Sequence, residues 1–151
     1  MLKGISPFLG PELLKTLCEM GHGDELLLAD AHFPGHSLGM RVLRADGLNI
    51  CQILAAILPL FELDRSSTAL IMMEPDTGDS PDATVESDYL AEVRRYSPEI
   101  SRPMRLARKE FYERAKSAYA VLMTGELRAY GNLILRKGVT PVPGREASYS
   151  L

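Results

Sequence analysis

The sequence predicts an α/β domain in which helices cover both faces of one sheet. Short uninterrupted apolar runs at residues 26–29, 69–73, 119–123 and 133–135 have the length and composition of buried strands. Segments with apolar residues at helical spacing lie between several of them. Proline- and glycine-containing stretches punctuate the two kinds of segment.

Residues 11–20 read as a helix. Pro11 suits a first turn, Leu13, Leu14, Leu17 and Met20 share a face, and Gly21 supplies the stop. The strand at 26–29 follows, then a loop over 31–39 containing Pro34 and two glycines. Residues 42–44 form a short extended piece before the turn at Asp46 and Gly47. A second helix is expected over 49–60, where Ile50, Ile53, Leu54, Ile57 and Leu58 nearly surround it and demand burial on most sides. After the strand at 69–73 the composition changes: residues 74–84 are rich in Pro, Asp, Gly and Ser, a loop that either carries function or connects. Surface helices are expected over 85–96 and 108–117, with a Pro-interrupted linker between them. The runs Thr124-Gly125-Glu126 and Tyr130-Gly131-Asn132 fall where turns and strand ends belong. One domain spans 1–141, and 142–151, poor in core-forming residues, are expected to be a disordered tail.

At 151 residues the chain buries a real core without metals or disulfides. Its composition, 46% hydrophobic and 25% charged, argues against disorder. A net charge of −3 without a long basic run excludes nucleic acid as an expected partner. No apolar stretch approaches the roughly twenty residues of a membrane span, and the N-terminus lacks the apolar core of a signal peptide. Cys18 and Cys51 read as buried free thiols, which suits a cytoplasmic location.

All three histidines, His22, His32 and His36, fall within one short stretch that also holds Asp24, Glu25 and Asp30. Histidine exchanges protons most readily near neutral pH, so this stretch is the first candidate for chemistry. Its polar residues flank the strand at 26–29, and strand-end loops on a rigid scaffold commonly carry sites. His22, Asp24, Asp30, His32 and His36 also invite a metal reading, but their spacing matches no strong ligand motif, so no metal is expected. No GxGxxG or P-loop pattern follows any strand, which removes the usual support for nucleotide binding. His32 and His36 read as structural, Tyr112 as packing, Glu113 and Arg114 as a solvated face, and Tyr119 stays undecided between packing and ligand contact.

Longer runs carry a family resemblance. They include Glu19-Met20-Gly21-His22-Gly23-Asp24-Glu25, Asp30-Ala31-His32-Phe33-Pro34, Arg44-Ala45-Asp46-Gly47-Leu48 and Pro59-Leu60-Phe61-Glu62-Leu63-Asp64. Phe111-Tyr112-Glu113-Arg114-Ala115, Thr124-Gly125-Glu126 and Tyr130-Gly131-Asn132 continue the series to Pro141. On these residues the chain resembles the bacterial L-fucose mutarotase and D-ribose pyranase family, in its fucose branch. The resemblance implies a three-layer α/β/α fold around a largely parallel sheet and a ring-like homo-oligomer, commonly a decamer, with sites at subunit boundaries. It implies His22 as catalytic acid/base, and sugar contacts from Asp30, Arg108, Tyr130, Gly131 and Asn132. No metal or organic cofactor is implied. The implied partner is a free monosaccharide, L-fucose or alternatively D-ribose, and the implied class is a cofactor-independent isomerase.

The residue types suit that chemistry. Exchanging the anomers of an aldose requires one proton to leave the anomeric hydroxyl and another to reach the ring oxygen, then the reverse. An imidazole can do both near neutrality. Asp30 can accept from sugar hydroxyls, and Arg108 and Asn132 supply donors. Tyr130 offers a ring face and a hydroxyl, and Gly131 permits close backbone approach. His22 and Asp30 are eight residues apart, so an extended path would separate them by roughly 26 Å, far more than a monosaccharide. Either the Gly21-His22-Gly23 segment folds back, or the site combines two subunits. Three other outcomes stay open: a D-ribose pyranase, a non-catalytic sugar-binding protein, and a metal-dependent hydrolase.

Overall fold

A computed structural model describes residues 1–144. Helix α1 (Pro11–Glu19) precedes β1 (Glu25–Ala29) and β2 (Val42–Ala45), and α2 (Ile50–Ile57) leads to β3 (Leu70–Met73). Then come α3 (Thr84–Arg94), β4 (Met104–Leu106), α4 (Arg108–Lys116), β5 (Ala120–Thr124) and β6 (Leu133–Arg136). The six strands form one sheet in the order β2-β5-β1-β6-β3-β4. β6 runs antiparallel to both its neighbours, and the β1–β5, β2–β5 and β3–β4 pairs are parallel. The sheet is therefore mixed and mostly parallel.

Period-two alternation divides β1 between two cores. Leu26 and Leu28 point into one, packed with residues of α1, α2 and α3. Leu27 and Ala29 point into the other, with Phe111 and Ala115 of α4 and with Phe33 from the loop after β1. Helices thus lie on both faces. β1, β3, β5 and β6 read as near-continuous apolar runs because both their faces are buried.

Local chemistry sets the element ends. Pro11 occupies the first turn of α1, where its missing N–H costs nothing. Asn49 and Gln52 form a reciprocal capping box on α2. α2 is buried on most sides, as expected, through Ile50, Ile53, Leu54, Ala56 and Ile57, while Gln52 and Ala55 face out along one stripe.

Four readings need correction. The expected linker before α4 contains β4, an edge strand pairing Met104 and Leu106 with Ile71 and Met73. Three residues with a central arginine carry too little pattern to register as a strand. Cys18 is exposed and Cys51 only half-buried. Cys18 lies off the face that buries Leu13 and Leu17, so its apolar neighbours mislead. Helix α3 is no mere surface element, since it buries Val85, Tyr89, Leu90 and Val93. Arg114 is not simply solvated: its Nε and Nη2 grip the mostly buried Glu25 carboxylate at 3.0 and 2.5 Å, tying α4 to the start of β1. The expected disordered tail lies, from residue 145 on, outside the described residues. No helix among the described residues is long and apolar enough to cross a membrane.

Candidate active site

The five strands that run one way all end on the same side of the sheet. Ligands of open α/β sheets bind outside such carboxyl ends, where the chain leaves the core. Asp30 follows β1 there, Met73 closes β3, Arg108 follows β4, and Asn132 enters β6 from the same side. They line a cavity of about 280 Å³ together with His32, Phe33, Asp79, Tyr112, Ala129 and Tyr130.

Asp30 and Asn132 form the buried floor, each 5% exposed. The Asn132 side chain clasps Asp30 twice: its Oδ1 accepts the Asp30 backbone N–H at 2.9 Å, and its Nδ2 donates to Asp30 Oδ2 at 2.9 Å. Asp30 Oδ1 accepts the His32 backbone N–H at 3.0 Å. Burial pushes the Asp30 carboxyl above its usual range, opposed by these donors and by the Gly131 amide.

The rim is aromatic and charged. Tyr130 adopts a left-handed backbone, φ 59°, uncommon for a non-glycine residue. Its hydroxyl donates to Asp79 and accepts from the Asp76 N–H at 3.1 Å and from Arg108 Nη2 at 3.2 Å. Arg108 Nε also donates to Asp76 at 2.8 Å, and the guanidinium lies 5.7 Å from the Tyr130 ring centre. Asp76 holds the Arg108 guanidinium ionised more firmly than usual. The Pro/Asp-rich loop after β3 is therefore part of the site rather than a plain connection.

Gly131 also has a packing role within the protein. A Cβ there would meet the Arg128 carbonyl oxygen at 2.8 Å and Glu126 Cγ at 3.0 Å. Its missing side chain lets the turn pack on itself.

His22 is not among the cavity's lining residues. It sits exposed in a turn at the opposite end of β1. There the Gly21 N–H bonds Asp24 Oδ2 at 2.7 Å, and the Gly23 N–H bonds the Lys137 carbonyl at 2.9 Å. Gly23 has φ 86°, which a glycine adopts freely. The segment does not fold back along the strand within one chain.

His32 lines the cavity beside Asp30, although the sequence reading made it structural. Tyr112 both packs and lines: it stacks on Phe33 with ring centres 5.4 Å apart and reaches the same cavity. Asp76 and Asp79 carried no signal beyond their loop composition. His36 instead lies against Arg44, and Tyr119 donates to Glu19 at 3.0 Å. Among the described residues, no three His, Cys, Asp or Glu side chains converge as metal ligands.

Comparison with known proteins places this geometry among relatives. The model of the RbsD / FucU transport protein family matches residues 3–140. An L-fucose mutarotase of Glaesserella parasuis is 56% identical over 143 residues, covering 94% of this chain and 98% of that protein. One of Histophilus somni is 54% identical, covering 94% and 99%. The crystal structure of a fucose mutarotase from Streptococcus pneumoniae in complex with L-fucose superposes with a TM-score of 0.86 at 41% identity, covering 93% of this chain and 100% of that one.

Proposed function

The chain belongs to the RbsD / FucU transport protein family, and from that premise we propose that it is a cytoplasmic L-fucose mutarotase. It interconverts the α and β anomers of free L-fucose through the open-chain aldehyde. The cavity that joins Asp30, Arg108, Tyr130 and Asn132 carries this reading: it is monosaccharide-sized, with hydrogen-bonding groups on its floor and rim and apolar side chains in its wall.

We infer that His22 reaches this cavity from a second copy of the chain, in a ring-like homo-oligomer with a decamer as the expected size. The separation of His22 and Asp30 along β1 supports this, because one sugar cannot span it. The His22 imidazole takes the proton of the anomeric hydroxyl as the C1–ring-oxygen bond opens, and the imidazolium so formed delivers a proton to the ring oxygen. The aldehyde turns, presents its other face, and recloses with both transfers reversed. Asp30 keeps lone pairs for sugar hydroxyls beyond those used by Asn132 and His32, since an ionised carboxylate accepts about four hydrogen bonds. Asn132 and Arg108 orient it.

Because anomers exchange slowly in water unaided, the barrier to be removed is small by enzymatic standards. Saturation-transfer NMR on equilibrated L-fucose tests the assignment: the protein accelerates exchange between the two anomeric protons, and His22→Ala abolishes most of the effect. Unchanged exchange with wild-type protein overturns it. A D-ribose arm separates this activity from pyranose–furanose interconversion, and binding without acceleration would mark a sugar-binding protein.

A further inference from the structure

The Thr124-Gly125-Glu126 run contributes nothing to the cavity wall, yet it bonds the residues on either side of Asp30. Thr124 Oγ1 donates to the Ala29 carbonyl at 2.8 Å, and the Ala31 N–H donates to the Glu126 carbonyl at 2.8 Å. Gly125 fits because a Cβ would strike the Asp46 carbonyl oxygen.

The Glu126 side chain turns the other way, toward the turn that carries Tyr130 and Asn132. Its carboxylate, 4% exposed, accepts from Arg128 Nε at 2.9 Å, Arg128 Nη2 at 3.0 Å and the Arg128 N–H at 3.1 Å. Burial opposes its ionisation, but Arg128 prevails and holds the carboxyl below the usual range. Arg128 is held in turn by Asp88 of α3 at 2.7 Å. Tyr89, also from α3 and 1% exposed, donates its hydroxyl to the Gly131 carbonyl at 2.7 Å, with Glu126 Oε2 3.5 Å away.

We propose that Tyr89 and Glu126 are positioning residues, a buried clamp that fixes the Tyr130, Gly131 and Asn132 turn against Asp30 and so sets sugar affinity without touching sugar. The proposal rests on the mutarotase reading for its kinetic arm and on geometry alone for its structural arm. Removing the Tyr89 hydroxyl leaves the Gly131 carbonyl buried without its donor, and the turn relaxes to find another.

Tyr89→Phe tests this on the full-length chain. The Asp30 amide, which donates to Asn132 Oδ1, loses hydrogen-exchange protection about tenfold, while Leu27 in the preceding strand keeps its own. KM for L-fucose rises about tenfold with kcat falling less, since the turn orients rather than transfers protons. Glu126→Gln, equal in size, shifts both readouts the same way and serves if the first variant does not fold. Ile134→Val is the control: it weakens the sheet centre and leaves both readouts in place. Unchanged Asp30 protection overturns the clamp, as does an equal KM shift in the control. A wild-type chain that fails to accelerate anomer exchange overturns the mutarotase reading instead, and the exchange arm still decides the clamp.

Discussion

His22 and Asp30 stand at opposite ends of β1, with all five strand residues between them, a span of about 16 Å before either turn is counted. The Gly21–Asp24 hydrogen bond and the Gly23–Lys137 bond secure the turn that keeps His22 there. A site using both residues takes them from different chains. Co-expressing His22→Ala with Asp30→Asn chains therefore restores activity that neither variant has alone. Random assembly rebuilds about a quarter of the sites from two intact contributions. Mixed oligomers without activity would place both residues' roles within one chain.

Asp30 gives a pH signature. Its folded-state pKa is raised, mainly by burial, so the native protein holds this proton more tightly than the unfolded chain does. Between the unfolded value of 3.8 and the raised one, the native state binds more protons, and Asp30's share of stability falls as pH rises. Above that window the cost is constant. Urea unfolding of wild type and Asp30→Asn checks this: the variant gains stability relative to wild type as pH climbs through the window, then the difference levels off. The sign of that slope does not depend on any fixed offset from altered hydrogen bonds. A difference that shrinks as pH rises contradicts the burial argument.

Much of this architecture was legible because it rests on local pattern. Both-face burial writes strands as plain apolar runs, and Pro11 and Asn49 mark helix starts. What escaped depends on contacts far apart in sequence. β4 is a strand because β3 offers it an edge, and its own three residues carry almost no signal. Cys18 and Arg114 escape local pattern because their surroundings are tertiary: the open side of α1 in one case, Glu25 across 89 positions in the other. At the site, His32 gives no signal in the sequence, because a loop histidine ordinarily bonds nearby backbone. Only the loop's path after β1 shows its side chain meeting the cavity.

The cavity's wall makes a prediction about sugars. Phe33, Met73 and the Tyr112 ring give it an apolar lining beside the polar Asp30 and Asn132. L-Fucose carries a methyl on C5 where L-galactose has a hydroxymethyl. Burying one methyl against that wall is worth about 0.8 kcal/mol, roughly fourfold over D-arabinose, which lacks the carbon. An unpaired hydroxyl there costs about 1–3 kcal/mol, so L-galactose falls roughly five- to 150-fold behind. Exchange rates across the three sugars, at matched sub-saturating concentration, rank L-fucose first, D-arabinose second and L-galactose last. L-Galactose exchanging as fast as L-fucose would show that the methyl lies elsewhere.

Gly131→Ala separates two reasons for glycine at that position. If glycine were needed only so that sugar can approach the backbone, alanine would lower affinity and leave stability alone. The geometry says otherwise. The added Cβ would sit 2.8 Å from the Arg128 carbonyl oxygen, which is backbone and cannot swing away, and 3.0 Å from Glu126 Cγ. The turn has to move by several tenths of an ångström, carrying Asn132 with it and straining its two hydrogen bonds to Asp30. Overpacking of this kind costs about 1–3 kcal/mol, so the denaturation midpoint falls along with activity. The two losses come together, because Asn132, which follows Gly131 directly, holds Asp30 in the floor of the cavity. A stable, inactive Gly131→Ala protein would return the glycine's role to the ligand.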